Sequence, residues 1–140
     1  PAKNIETSSG AEGAYDFAKV RCDFDENSYV EGIEKVRKII PLLEKYRIKL
    51  ALENHEYETS EELVRVIKEI NSQWVGLLYD FGNSMMAWEE PVKAAENMAP
   101  YTYSTHFKDH IIIEEPNDKY GYVVCGVPAG TGNIDLKNLF

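Results

Sequence analysis

Trp74-Val75-Gly76-Leu77-Leu78-Tyr79-Asp80 is apolar until its last residue, a carboxylate, and Phe81-Gly82-Asn83 then supplies a turn. A run of that length, apolar on both faces, reads as a buried strand of a parallel sheet. The preceding run, Ile48-Lys49-Leu50-Ala51-Leu52-Glu53, has the same form and also closes in acid. The following one, Tyr101-Thr102-Tyr103-Ser104-Thr105-His106-Phe107, is aromatic and β-branched, as strands prefer, and delivers a histidine at its end.

Helical patterns separate these runs. From Ser28 to about Tyr46, Ile33, Val36, Ile40 and Leu43 form a stripe of helical period, with Pro41 predicting a kink or break near Ile40. Thr59-Ser60-Glu61-Glu62 has the form of a capping box, and Leu63, Val66, Ile67 and Ile70 supply the apolar face behind it. A third helix is predicted over about Glu90 to Ala99, with Pro91 in its first turn, Val92, Ala95 and Met98 inward, and Pro100 as its stop. Tyr120 to Cys125 reads as a further extended piece after a polar loop, and Ala18 to Cys22 as another possible strand. Asp135 is a plausible N-cap for a helix begun by Leu136, Leu139 and Phe140. Residues 1–27 are thus a loosely defined loop or strand region, and 28–140 successive helix and strand units.

Alternating strands and helices imply right-handed crossovers and a parallel sheet, either open and doubly wound or closed as a (β/α)8 barrel. No Gly-x-Gly-x-x-Gly follows a strand, so the dinucleotide-binding version of the open sheet lacks its phosphate turn. Glu53, Asp80 and His106 stand 27 and 26 residues apart. That step approximates one βα unit of a barrel, which places the three side chains at equivalent positions of the C-terminal mouth, where barrel enzymes keep their chemistry. Eight such units need about 250 residues. The 140 residues therefore correspond to about half a TIM barrel, read as the C-terminal half without its last strand.

Two carboxylates and an imidazole converging on one point suit a divalent cation such as Mn²⁺, Mg²⁺, Co²⁺ or Zn²⁺. Composition narrows the alternatives. With 15 basic and 24 acidic residues the chain carries a net charge of −9, a poor basis for holding phosphate backbones. It contains 44% hydrophobic residues and no run long enough to cross a bilayer, so neither nucleic acid nor membrane is an expected partner. Cys22 and Cys125 lack ligand-like spacing and read as reduced thiols of a cytoplasmic protein.

Leu52-Glu53-Asn54-His55, Asp80-Phe81-Gly82-Asn83, His106-Phe107-Lys108-Asp109 and the loop Gly126 to Asp135 together resemble the strand-end motifs of the xylose-isomerase-like TIM barrels, the sugar phosphate isomerase/epimerase group. The resemblance runs from about Val30 to Phe140. It implies a metal held by Glu53, Asp80, His106 and a second Glu on the barrel's last strand, beyond Phe140. In that group two glutamates exchange a proton of the substrate carbon while the metal polarises the adjacent carbonyl. Glu53 is then both ligand and acid/base, and a piece without the second glutamate is expected to be inactive.

By strand parity, His55 and Lys108 follow Glu53 and His106 by two positions and are candidates to bind substrate. Lys108 suits an enolate, phosphate or carboxylate. Asn83 is a third candidate contact, and Asp109 is expected either to orient His106 or to cap the next loop. Trp88, Tyr57 and Phe81 are candidate walls for a sugar ring, and Thr131 stands where relatives commonly have Glu.

The expected function is metal-dependent isomerisation or epimerisation of a keto sugar, a keto acid or a similar small hydroxy-carbonyl compound. A dehydratase acting on an inosose or dehydroshikimate-like ring is the alternative on the same site, and a non-catalytic barrel domain another. An abasic-site endonuclease of the group needs a histidine three residues after the strand-end Asp and an Asp-x-His pair. Asn83 and Val123-Val124-Cys125 stand there instead. Exposed inner strand faces and edges predict homo-oligomers or association with another chain.

Overall fold

A computed structural model describes residues 26–55, 57–114 and 121–139, with the side chains of Glu26 and Asn27 outside the description. Helix α1 (Glu26–Tyr46) leads into β1 (Leu50–Glu53), α2 (Ser60–Ile70) and β2 (Val75–Asp80). The short α3 (Asn83–Met86), α4 (Pro91–Met98) and a 3-10 turn (Ala99–Tyr101) follow, then β3 (Thr102–His106), β4 (Asp109–Glu114) and β5 (Tyr122–Val127). The first three strands form a parallel sheet in the order β1-β2-β3, and β4 pairs antiparallel with β5. The suggested strand at Ala18 to Cys22 lies outside the described residues.

The helices form for the reasons visible in their sequences. Thr59 caps α2 through the reciprocal bonds of a capping box with Glu62, and Asn71 ends that helix in the left-handed conformation. Leu63, Ile67 and Ile70 bury its apolar face against the sheet. Pro91 opens α4, whose N-cap Glu90 accepts from the backbone N–H groups of Val92 and Lys93. Burying a Leu or Ile in such a core is worth about 1.5–3 kcal/mol.

Four expectations change. Pro41 does not break α1, which runs unbroken from Glu26 to Tyr46; Pro41 is exposed, so the carbonyl it leaves without a partner is on the side that water reaches, while Ile33 and Leu43 pin both halves to the core. The inward stripe of α4 is Ala94 and Met98, with Val92 and Ala95 only half-buried, and the chain passes through Pro100 in the 3-10 turn. The extended piece read at Tyr120 to Cys125 is Tyr122–Val127 and does not stand alone: residues 109–114 form the other strand of a hairpin, because Ile111, Ile112 and Ile113 find Cys125, Val124 and Val123 opposite them. Asp135 heads a turn, accepting from the backbone and side chain of Asn138, and no helix begins there among the described residues.

β2 is buried along its whole length, so its inner face is not exposed as expected. Val75, Leu77 and Tyr79 join the core cluster, while on the other face the ring of Tyr103 lies against Gly76, where a β-carbon would come within 2.4 Å of it. Register slips by one residue between Leu77 and Leu78, which lets Tyr103 lie across the sheet and donate from its hydroxyl to the Gln73 carbonyl. Among the described residues β1 and β3 each pair on one side only. Cys125 is a free, half-buried thiol, and no described helix is long and apolar enough to cross a membrane.

Candidate metal centre

Register alone brings the strand-end residues together. Glu53 pairs with Leu78, and Asp80, two residues further along β2, pairs with His106. Side chains of paired residues in a parallel sheet share a face, as do residues two apart on a strand, so Glu53, Asp80 and His106 project to the same side. Their ligand atoms lie within 4.8 Å of one another. His106 Nδ1 is 2.9 Å from Glu53 Oε1 and 3.3 Å from Asp80 Oδ2.

Asp80 divides its two oxygens between two tasks. Oδ1 accepts from the backbone N–H groups of Gly82 at 3.0 Å and Asn83 at 3.2 Å, which anchors the carboxylate to its own turn. Oδ2 is buried and accepts no aligned hydrogen bond, although the Lys108 ammonium stands 2.7 Å from it. A fully buried carboxylate oxygen that faces only charge contacts fits a cation ligand, because leaving it unsatisfied is costly.

Asn54 holds this arrangement from behind, a role that the sequence reading did not give it. Its amide donates to the Asp80 carbonyl at 3.0 Å and its carbonyl accepts from the Asp80 N–H at 2.7 Å, so one side chain continues the ladder past the end of β1. Asn83 in turn donates from its side-chain amide to the backbone carbonyl of Asn54 at 2.9 Å. Ser84 bridges Asn54 to the Tyr79 hydroxyl. Burial pushes the Tyr79 phenol up to about 12, and its hydroxyl donates to the Pro91 carbonyl at 2.6 Å. The sequence signal was an Asn directly after a strand-end acid, a residue whose amide both donates and accepts where a strand runs out.

The other candidates occupy varied places. β1 ends at Glu53, so strand parity does not extend to His55, which is half-buried beyond it. Lys108 lies between β3 and β4 and still reaches the centre through its long side chain. The amide of Asn83 points into the scaffold at Asn54. Phe81 is buried between Tyr79 and Phe107, which makes it core rather than an open wall. Trp88 is 70% exposed at φ 56°, and Tyr57 is half-buried.

Asp109 caps a loop, but not the next one along the chain: it caps the loop that follows β5. Its carboxylate accepts from the N–H groups of Gly130, Gly132 and Ile134. Burial alone raises its pKa, but the N–H groups of Gly132, Gly130, Ile134 and His110 together hold it below the usual carboxylate range. A group held low in the folded state stabilises the protein above its unfolded value, here 3.8, and that stability fades as the pH falls through the folded value. Asp109→Asn is expected to cost about 2–3 kcal/mol at pH 7, as charged hydrogen bonds are lost. In urea titrations the gap to the wild type narrows below about pH 4; a gap independent of pH contradicts this role.

Residues 10–140 match the family described as Xylose isomerase-like TIM barrel. The chain belongs to the xylose isomerase-like TIM barrel family. It is 38% identical to the uncharacterized protein YihM of Escherichia coli over 88 residues, which are 63% of this chain and 26% of that protein. It is 30% identical to 3-oxo-isoapionate decarboxylase of Pectobacterium atrosepticum over 109 residues, 78% of this chain and 39% of the enzyme. The chain thus spans well under half the length of these curated relatives.

Solved barrels show the same fold. The probable 3-DHS dehydratase AsbF of Bacillus anthracis superposes with a TM-score of 0.72 at 20% identity, covering 97% of this chain and 51% of that one. A xylose isomerase-like TIM barrel protein of Mycobacterium smegmatis, solved in complex with magnesium, gives 0.68 at 24% identity, with 82% and 39% covered. The three-stranded parallel sheet and its helices are accordingly part of an α/β barrel.

Proposed function

We propose that this protein is a metal-dependent isomerase or epimerase of a keto sugar, keto acid or similar hydroxy-carbonyl compound. The observation that carries the reading is the convergence of Glu53, Asp80 and His106, with the buried Oδ2 of Asp80 turned toward the shared space. These three residues would hold Mn²⁺, Mg²⁺, Co²⁺ or Zn²⁺, and the magnesium complex of the Mycobacterium smegmatis relative supports a hard divalent ion. Such an ion supplies Lewis acidity toward a substrate carbonyl.

The protein's own residues supply the rest. Glu53, with an oxygen already 2.9 Å from His106 Nδ1, takes or returns the proton of the carbon beside the carbonyl. Lys108 offers an ammonium to an enolate oxygen or to a carboxylate or phosphate of the substrate, and His55, two residues beyond the end of β1, contacts a hydroxyl. Asn83 and Asp109 act through the scaffold, by way of Asn54 and the glycine loop. The one-sided edges of β1 and β3 support association with further strands of the barrel or with a second copy. A cytoplasmic location belongs to the same proposal.

A second reading has its own support, since the named relatives include a decarboxylase acting on a 3-oxo acid and a probable dehydratase. Both break a different bond next to the same kind of carbonyl. The full-length protein, loaded with Mn²⁺ in D₂O and offered ketoses and keto acids, separates the two by NMR. An isomer or epimer carrying deuterium from the solvent at the carbon that exchanges its proton is the expected result. Release of CO₂ or appearance of an enone without isomer or epimer favours the second reading and overturns the first.

A further inference from the structure

We propose that Lys108 is an internal counter-cation of the metal centre: its ammonium pairs with Asp80 Oδ2 in the metal-free protein and must be displaced when a divalent ion binds. The inference rests on the reading of Glu53, Asp80 and His106 as metal ligands. The ammonium stands 2.7 Å from Asp80 Oδ2, the one oxygen of that carboxylate that accepts no aligned hydrogen bond. Oδ1 is held by two backbone N–H groups, so Oδ2 is the atom left to face a cation.

A buried carboxylate without compensation is costly, and Asp80 is fully buried. His106 Nδ1, 3.3 Å away, is shared with Glu53 Oε1 at 2.9 Å. Lys108 thus supplies the permanent positive charge at this carboxylate. Its side chain is 45% exposed, unlike that of Asp80, and it also lines an open cavity of about 420 Å³ with Phe107, His110, Gly126 and Pro128. The ammonium therefore has solvent and a cavity to move into. Asp109, the carboxylate lining the same cavity, is already saturated by backbone N–H groups and does not compete for it.

Two cations on one carboxylate oxygen repel, so the ion pair acts as a competitor of the metal. Removing the competitor tightens metal binding, while the exposure of Lys108 screens the effect to about tenfold. The test is calorimetric titration of Mn²⁺ into the metal-free full-length protein for the wild type, Lys108→Gln and Lys108→Arg, together with mass-spectrometric measurement of amine labelling at Lys108 in the wild type with and without Mn²⁺. Tighter binding by about tenfold in K108Q, affinity near the wild type in K108R, and faster labelling of Lys108 once Mn²⁺ is added are expected. Unchanged or weaker Mn²⁺ affinity in K108Q, or labelling indifferent to saturating Mn²⁺, overturns the proposal. A wild type that binds no Mn²⁺ overturns the metal-centre reading along with it, whereas a wild type that binds normally confines the failure to Lys108.

Discussion

Glu53→Gln, Asp80→Asn and His106→Ala are each expected to weaken Mn²⁺ binding by the full-length protein by more than about 100-fold, beyond the range found for residues that merely support a ligand. Each residue contributes one atom to a group spanning at most 4.8 Å, so no neighbour replaces it without moving a strand. Asp80→Asn is the cleanest of the three. Its Oδ1 can still accept from Gly82 and Asn83, so the turn keeps its anchor, while the atom facing Lys108 and His106 changes from a charged acceptor to a donor. Glu53→Gln carries a second consequence, because the same carboxylate is assigned the proton. Its turnover is expected to fall by about 10³, in the range for loss of a positioned acid/base. Calorimetry measures the affinities, and retention of wild-type Mn²⁺ affinity by all three variants would remove the centre from this protein.

Gly132→Ala is expected to destabilise the protein by about 3 kcal/mol, the upper end of ordinary overpacking. A β-carbon there would stand 2.2 Å from Asp109 Oδ1 and 2.4 Å from the His110 carbonyl. One of those neighbours is backbone of β4 and the other is the carboxylate that receives the Gly132 N–H itself, so neither can yield without losing the cap. Gly126→Ala is the matched control in β5, where the nearest atom is 3.9 Å away and open space is available. Thermal unfolding should separate the two clearly, and equal midpoints would show that the loop relaxes freely. Gly130 and Gly132 thus serve as backbone donors to Asp109, and Gly132 has no room there for a side chain.

Glu53, Asp80 and His106 were legible as a set because each closes an apolar or β-rich run and because the runs recur at one-unit spacing. Period and termination are local properties, and a parallel sheet converts them into a shared position. The capping box at Thr59 and the Pro91 start of α4 were legible for the same reason, since side-chain chemistry within one turn decides them. β5 was legible as an extended piece at Tyr120 to Cys125, but β4 was not, because Ile111-Ile112-Ile113 has no alternation of its own and becomes a strand by pairing with β5. The roles of Asn54 and Asp109 also lay outside a linear reading, because their partners are 26 and 21 to 25 residues away.

By itself, then, the sequence determined α1, β1, α2, β2, α4 and β3 and the three side chains presented at the strand ends, since hydrophobic period, caps and turn residues act over a few neighbouring positions, while the short α3 falls where only a turn was legible. Tertiary structure alone decided what those side chains do to one another. The register of β1, β2 and β3 put the ligand atoms within 4.8 Å, the turn after Asp80 consumed one of its oxygens and left the other exposed to charge, and the chain path after His106 carried Lys108 to that oxygen. Such distances depend on residues far apart in the chain, and only the packed sheet brings them within hydrogen-bonding and Coulombic reach.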